Sequence, residues 1–220
     1  MVEDRSQHET VVVVAGGPGR HAPTLEIPQG APVVAADSGI DLALALGLRV
    51  DTAVGDFDSV TPAGLDAVRA AGARVERHPE AKDATDLELA LLAAVALGPR
   101  RILVVGSDAG RLDHLLSTML LLSSERFAGV EIDASLGAAT AHVIRGGRRL
   151  AGEIGELISL FAAHGPATGV TTDGLEFPLQ RETLEPGSSR GVSNVFASGT
   201  ARIEVENGVL LAVRPEREVP

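Results

Sequence analysis

Two aspartates stand two residues apart in Gly55-Asp56-Phe57-Asp58-Ser59. In an extended loop, residues two apart point the same way, so the two carboxylates converge while Phe57 turns inward to pack. Converging carboxylates with no cysteine nearby suit a hard, oxygen-seeking cation, Mg2+ before Zn2+. An isolated Asp-x-Asp is an ordinary turn in which aspartate caps a helix, but this one has acidic company. Lys82-Asp83-Ala84-Thr85-Asp86 places Asp86 in the first turn of a helix, as a candidate third ligand. Asp and Thr before a helix are also common caps, and Lys82 adds what a cap does not need, a cation for a phosphate oxygen. The candidate metal set is therefore Asp56, Asp58 and Asp86, with Lys82 beside it.

Further candidates surround an anionic ligand. Arg111-Leu112-Asp113-His114 follows the glycine-flanked loop Gly106–Gly110 and opens a helix. Such a loop offers backbone N–H donors and a favourable dipole to phosphate, and Arg111 adds a bidentate grip. His114 reads as a helix-start histidine more than as a general base. Asp37-Ser38-Gly39 follows a β-type run, and Gly16-Gly17-Pro18-Gly19 follows another. The latter is neither a P-loop nor G-x-G-x-x-G, which argues against a P-loop kinase. A tight turn explains it as well as a phosphate contact does.

The elements that must position these groups alternate. Val11–Ala15, Val33–Ala36, Thr52–Val54, Ala73–Val75 and Ile102–Val105 read as strands, and from the second onward helical patterns alternate with them. Pro62 suits the first turn of one helix, and Thr85-x-x-Glu88 is a capping box opening Asp86–Leu97. A helix with Leu112, Leu115, Leu116, Met119 and Leu120 on one face follows, then strands near Val130–Ala134 and Thr140–Ile144. This grammar predicts an α/β domain over residues 1–146, a mostly parallel sheet with helices on both faces. Ligands bind such sheets at the carboxyl ends of the strands, where the candidate residues fall. From residue 147 to 220 only short strands appear, among them Ile154–Phe161, Gly169–Thr172, Ala201–Val205 and Val209–Val213, so a small all-β, sandwich-like C-terminal domain is expected. Asn207-Gly208 between two of them signals a hairpin.

Bulk properties remove whole classes. The chain of 220 residues is 45% hydrophobic but only 2% aromatic, with no Trp or Tyr, so aliphatic residues must fill the core. No cysteine is present, which excludes disulfides and thiolate metal sites and fits a reducing compartment. A formal charge of −11 argues against nucleic acid as a partner. The polar N-terminus carries no signal-peptide pattern, and no apolar run approaches the roughly 20 residues a membrane span needs. The expectation is a cytoplasmic protein without a membrane partner.

The ordered set Ala36-Asp37-Ser38-Gly39, Gly55-Asp56-Phe57-Asp58-Ser59, Lys82-Asp83-Ala84-Thr85-Asp86 and Gly110-Arg111-Leu112-Asp113-His114 resembles the thiamine pyrophosphokinase (thiamine diphosphokinase) family. The C-terminal runs Thr172-Asp173-Gly174-Leu175-Glu176-Phe177-Pro178-Leu179 and Gly191-Val192-Ser193-Asn194 are similar to its thiamine-binding segment. The resemblance implies transfer of the β,γ-diphosphate of ATP to the hydroxyethyl group of thiamine, releasing AMP. It implies Mg2+ on Asp56, Asp58 and Asp86, with Gly16, Gly17, Asp37, Ser38, Arg111, Asp113 and His114 around the nucleotide. Phe177, Ser193 and Asn194 would lie near thiamine, in a homodimer with its active site at the subunit interface. Ser38 stands where the family usually has Gly, Phe177 where it often has Trp, and Val195 where an acidic or polar residue is common. The rival readings are a transferase on the same scaffold with another alcohol acceptor, and a non-catalytic nucleotide-binding protein. The second would be expected to lose its metal carboxylates.

Overall fold

The structure, a computed structural model, describes residues 8–17, 22–81, 83–107 and 111–215. It divides into two compact units, one formed by the chain up to residue 115 with residues 132–138, the other by residues 116–131 with everything from 139 on.

In the first unit, strands β1 (His8–Ala15), β2 (Val33–Ala36), β3 (Thr52–Gly55), β4 (Arg74–Arg77) and β5 (Pro99–Gly106) alternate with helices α1 (Gly39–Ala45), α2 (Pro62–Ala70) and α3 (Asp86–Ala96). Helix α4 (Leu112–Leu122) then runs across the division between the units, and β6 (Glu131–Leu136) returns to the first. The sheet order is β4-β3-β2-β1-β5-β6, and β1 to β5 pair in parallel. Val11, Val12, Val13 and Val14 are all inaccessible to solvent, as a strand covered on both faces requires. The register puts Val12, Val33 and Leu103 on one face with Ala35, Ala53 and Val105, where they pack with Ile40 and Ala43 of α1 and Leu65 and Val68 of α2. Pleating sends Val13, Val34, Val54 and Val104 to the opposite face, and α3 packs on these same strands.

Local signals fix the helix starts. Thr61 Oγ1 accepts a hydrogen bond from Gly64 N (3.1 Å), with Pro62 at the first helical position. Thr85 Oγ1 accepts from Glu88 N (3.2 Å) at the start of α3. Among the described residues, no helix is long and apolar enough to cross a membrane.

The second unit is antiparallel and built around one long strand. Its strands are β7 (Ala139–Ile144), β8 (Gly147–Ala151), β9 (Leu157–Asp173), β10 (Glu182–Leu184), β11 (Asn194–Val195), β12 (Thr200–Glu204) and β13 (Asn207–Arg214), in the order β7-β13-β9-β12-β8, with β10 and β11 also on β9. The sheets are therefore mixed, and the expectation of a mostly parallel sheet holds only for β1 to β5. The strand at Ala139–Ile144, read with the parallel series, is hydrogen-bonded antiparallel to β13. The stretches Ile154–Phe161 and Gly169–Thr172, read as separate strands, mostly lie within the single strand β9.

Asn207-Gly208 does not turn a hairpin. Strands β12 and β13 do not pair with each other but run in succession along β9: Glu204 opposes Thr171, Asn207 opposes Thr168, and Val209 opposes Ala163. Two steps along β13 thus match five along β9, whose extra residues bulge around His164 (φ 61°) and Pro166. Gly208 closes this crossing with φ +93°, and a Cβ there would sit 2.5 Å from the Pro166 carbonyl oxygen. Gly208→Ala is expected to destabilise the protein by about 1–3 kcal/mol, read as a lowered urea midpoint with an unchanged slope.

Candidate functional site

The site grows from the carboxyl ends of β1, β2 and β3. Immediately after β2, Asp37 adopts a left-handed backbone (φ 43°), and just after β3 so does Phe57 (φ 64°). Such conformations cost about 1–3 kcal/mol each and persist only where the surroundings enforce them. Here the enforcing contacts are clear. Asp37 N donates to Val54 O (2.9 Å), and Phe57 is buried with the Arg77 guanidinium 5.0 Å above its ring. Arg77 Nη1 also donates to the Asp56 carbonyl (2.6 Å). The loop is tied internally: Asp58 N donates to Asp56 Oδ1 (3.2 Å) and Ser59 Oγ to Asp58 Oδ1 (2.7 Å).

The result is a focus of negative charge. Asp37, Asp56 and Asp58 each offer a carboxylate oxygen within 4.8 Å of the other two. Asp86, at the first position of α3, approaches the same place from the side: its Oδ1 lies 3.2 Å from where a Cβ on Gly55 would stand, and Asp37 Cβ is at the same distance. Burial pushes the Asp37 carboxyl above its usual range; a hydrogen bond from the Ser38 backbone opposes this, and the charges of Asp86, Asp58 and Asp56 push it further up. Asp37 Oδ1 is buried with no hydrogen-bond partner among the described residues. A buried carboxylate oxygen without a donor, set among carboxylates that repel it, is what a divalent, oxygen-seeking cation would satisfy, so the residues fit such an ion.

Sequence reading brought Asp56, Asp58 and Asp86 to one place and set Asp37 beside the nucleotide; the structure adds Asp37 to the carboxylates themselves. Gly16 and Gly17 lie where β1 ends, and side chains there would collide with Ser38 Oγ (1.9 Å) and Ser107 Cβ (2.6 Å), so close packing accounts for both glycines. Ser38 lines a cleft of about 650 Å3 whose other walls include Gly17, Asp41, Thr61, Leu42 and Leu44. Asp41 is held by Thr61, which donates its N–H (2.9 Å) and its hydroxyl (2.6 Å) to the two carboxylate oxygens. Lys82 lies outside the described residues. Arg111 and Asp113 pair with each other through two hydrogen bonds (3.1 and 2.6 Å) at the exposed start of α4, and Arg111 holds the Asp113 carboxyl down at about 2. His114 is exposed beside them.

Sequence reading missed Arg77. Its signal was its place at the end of β4, next to β3 in a parallel sheet, where a cation can brace the acidic loop.

In the second unit, the Phe177 ring is exposed and Asn194 is buried. Asn194 Oδ1 accepts from Phe177 N (3.0 Å) and Val195 N (2.9 Å), and its Nδ2 donates to Phe177 O (2.7 Å). Ser193 is exposed and left-handed (φ 55°), its N–H bonded to Ser159 Oγ (3.0 Å).

Two outcomes test the cation site. Gly55 has φ +149°, and a side chain there would press on Asp37 Cβ and Asp86 Oδ1, each 3.2 Å away. Gly55→Ala should therefore weaken Mn2+ binding about tenfold or more in a titration followed by electron paramagnetic resonance. The raised value for Asp37 means the folded state holds that proton more tightly than the unfolded chain. Stability of the metal-free protein should then fall as pH rises from the ordinary aspartate value of 3.8 through the raised one. Asp37→Asn should remove that fall, raising the metal-free melting temperature at neutral pH while weakening Mn2+ binding.

Two family models match the chain: "Thiamin pyrophosphokinase, catalytic domain" over residues 27–133 and "Thiamin pyrophosphokinase, vitamin B1 binding domain" over residues 142–210. The thiamine pyrophosphokinase of Bacillus subtilis (strain 168) is 26% identical over 210 residues, 94% of this chain and 98% of the relative. A crystal structure of thiamine pyrophosphokinase from Bacillus subtilis superposes with a TM-score of 0.83 at 26% identity, covering 94% of this chain and 99% of that one. A thiamin pyrophosphokinase family protein from Enterococcus faecalis gives 0.81 at 25% identity over 95% and 100%. The Candida albicans thiamin pyrophosphokinase, 13% identical with a TM-score of 0.71 over 94% and 90%, shares the fold.

Proposed function

This chain belongs to the thiamin pyrophosphokinase family, and on that premise we propose that it moves the β,γ-diphosphate of ATP onto the hydroxyethyl oxygen of thiamine, giving thiamine diphosphate and AMP. The observation that carries this reading is the convergence of Asp37, Asp56 and Asp58, with Asp86 alongside, at the carboxyl edge of the parallel strands. Those carboxylates hold Mg2+, with Asp37 joining the ligands read from sequence. The ion, when bound, would screen the phosphate oxygens and favour departure of AMP.

The remaining work falls to positioning and charge, since phosphoryl transfer needs no covalent intermediate on the protein. The thiamine hydroxyl oxygen attacks the β-phosphorus, the bond from that phosphorus to the α–β bridging oxygen breaks, and AMP leaves with that oxygen. The hydroxyl proton passes to solvent or to a carboxylate. Lys82 and Arg111 meet phosphate oxygens, and Asp113 keeps Arg111 extended and charged. The cleft beside Ser38, of ordinary ligand-pocket size, seats the nucleotide against Gly17, with Gly16 packed on Ser38; His114 is assigned to the nucleotide by the family resemblance. In this reading residues 1–146 carry the donor chemistry and residues 147–220 the acceptor site. Phe177 offers its exposed ring to the cationic acceptor, an attraction of about 0.5–2 kcal/mol, with Ser193 and Asn194 close by.

We assign the working form as a homodimer with the active site at the subunit interface. Its support is apolar surface a lone chain would leave wet: Leu112 (78% exposed), Leu116 and Leu120 along one side of α4, and Ile154, Leu157 and Phe161 in the second unit. Light scattering should give twice the chain mass, and Leu116→Glu should shift it to one chain.

The decisive assay supplies ATP, Mg2+ and thiamine and follows AMP and thiamine diphosphate together. Asp56→Asn should lower turnover by about 100-fold or more. AMP formed only with a different alcohol would sink the acceptor assignment, and Asp56→Asn with unchanged turnover would sink the site.

A further inference from the structure

Resting on the acceptor-site reading above, we infer that Asn194 is a positioning residue for Phe177 and not itself a contact for the acceptor. Phe177 precedes Pro178, which has no N–H and restricts the residue before it to extended conformations. A regular strand ladder cannot continue through such a pair. The buried Asn194 amide takes its place, accepting from Phe177 N and donating to Phe177 O, so one side chain satisfies both backbone groups of the residue whose ring is exposed. With Val195 N also on Oδ1, three of the amide's four hydrogen-bonding positions are occupied by backbone. Little is left to offer a ligand.

The surroundings pin the same segment on either side. Glu176 N donates to Val195 O (2.9 Å) and Ala197 N to Gly174 O (2.9 Å). Beyond Pro178, the buried Thr172 grips Leu179 from both ends: Leu179 N donates to Thr172 Oγ1 (2.9 Å) and Thr172 N to Leu179 O (3.0 Å). Phe177 is thus an exposed aromatic on a stitched backbone, a platform whose ring is held out with little entropy left to lose on binding. Only Asn194 touches Phe177 itself within this set. It also fixes the orientation of its own amide, because the reverse arrangement would aim N–H groups at two N–H donors.

The test exploits the absence of Trp and Tyr from the chain. Phe177→Trp installs a sole indole reporter at the platform, and thiamine is titrated without ATP while its emission and anisotropy are followed. Thiamine should quench the emission. Adding Asn194→Asp, which replaces the N–H donor facing Phe177 O with a carboxylate oxygen, should weaken binding about tenfold and lower the anisotropy of the free protein, with far-ultraviolet dichroism unchanged. If that variant does not fold, Asn194→Ser in the native background serves, its short side chain unable to reach both backbone groups. The expected result is a thiamine KM raised about tenfold, with KM for ATP moved much less. An indole blind to thiamine would overturn the acceptor-site reading and this inference with it. Quenching with an unaltered dissociation constant in Asn194→Asp, or an unaltered thiamine KM in Asn194→Ser, would overturn the inference alone.

Discussion

Carboxylates gathered within a few ångströms repel one another, and the first unit is organised around enduring that repulsion. Two unit charges 4 Å apart near a protein surface interact by about 4 kcal/mol, more than most single interactions in a fold. The sheet can bear this because the acidic residues are attached to its stiffest part. β1, β2 and β3 are buried on both faces, so Asp37, Asp56 and Asp58 leave strands that have no slack. The left-handed backbones of Asp37 and Phe57 are strain held in place by that rigidity. Arg77 then braces the loop from behind, with a carbonyl hydrogen bond and a guanidinium over the Phe57 ring, and leaves the carboxylate oxygens facing forward.

The parallel part of the fold was legible because its signals are local. Continuous aliphatic runs mark strands buried on both faces, Pro62 and Thr85 mark helix starts, and strand ends mark the crevice. The C-terminal unit was harder because its decisive pairings are not local. β9 contains His164, Gly165 and Pro166, which by composition read as a break, yet its two halves are kept collinear by β12 and β13 lying along it in turn. The same geometry defeats the hairpin reading of Asn207-Gly208: a positive φ serves a bulge as readily as a turn, and only the shared pairing of β12 and β13 with β9 distinguishes them. Ala139–Ile144 has the composition of any buried strand, and its antiparallel partner lies about seventy residues further along the chain.

The site shows the same division. Asp56 and Asp58 were found by spacing and Asp86 by its place at a helix start. Asp37 was recognised as important but set beside the nucleotide, since sequence cannot show that a carboxylate just ahead of one helix faces a loop beyond the next strand. Arg77 had no motif to announce it. Asn194 was visible as a polar residue beside Ser193, but that its amide is turned toward Phe177 depends on a proline sixteen residues earlier and on the burial of Asn194 itself.

Asp86 occupies the first turn of α3, where the helix presents its unpaired N–H groups. That terminus behaves as roughly half a positive charge, so the acidic cluster has one resident counter-charge even when no cation is present. Its worth, about 0.3–1 kcal/mol in ordinary settings, is well short of the repulsion among the carboxylates. The acidic cluster therefore keeps a residual repulsion that the start of one helix softens but does not cancel, and that a bound cation would relieve.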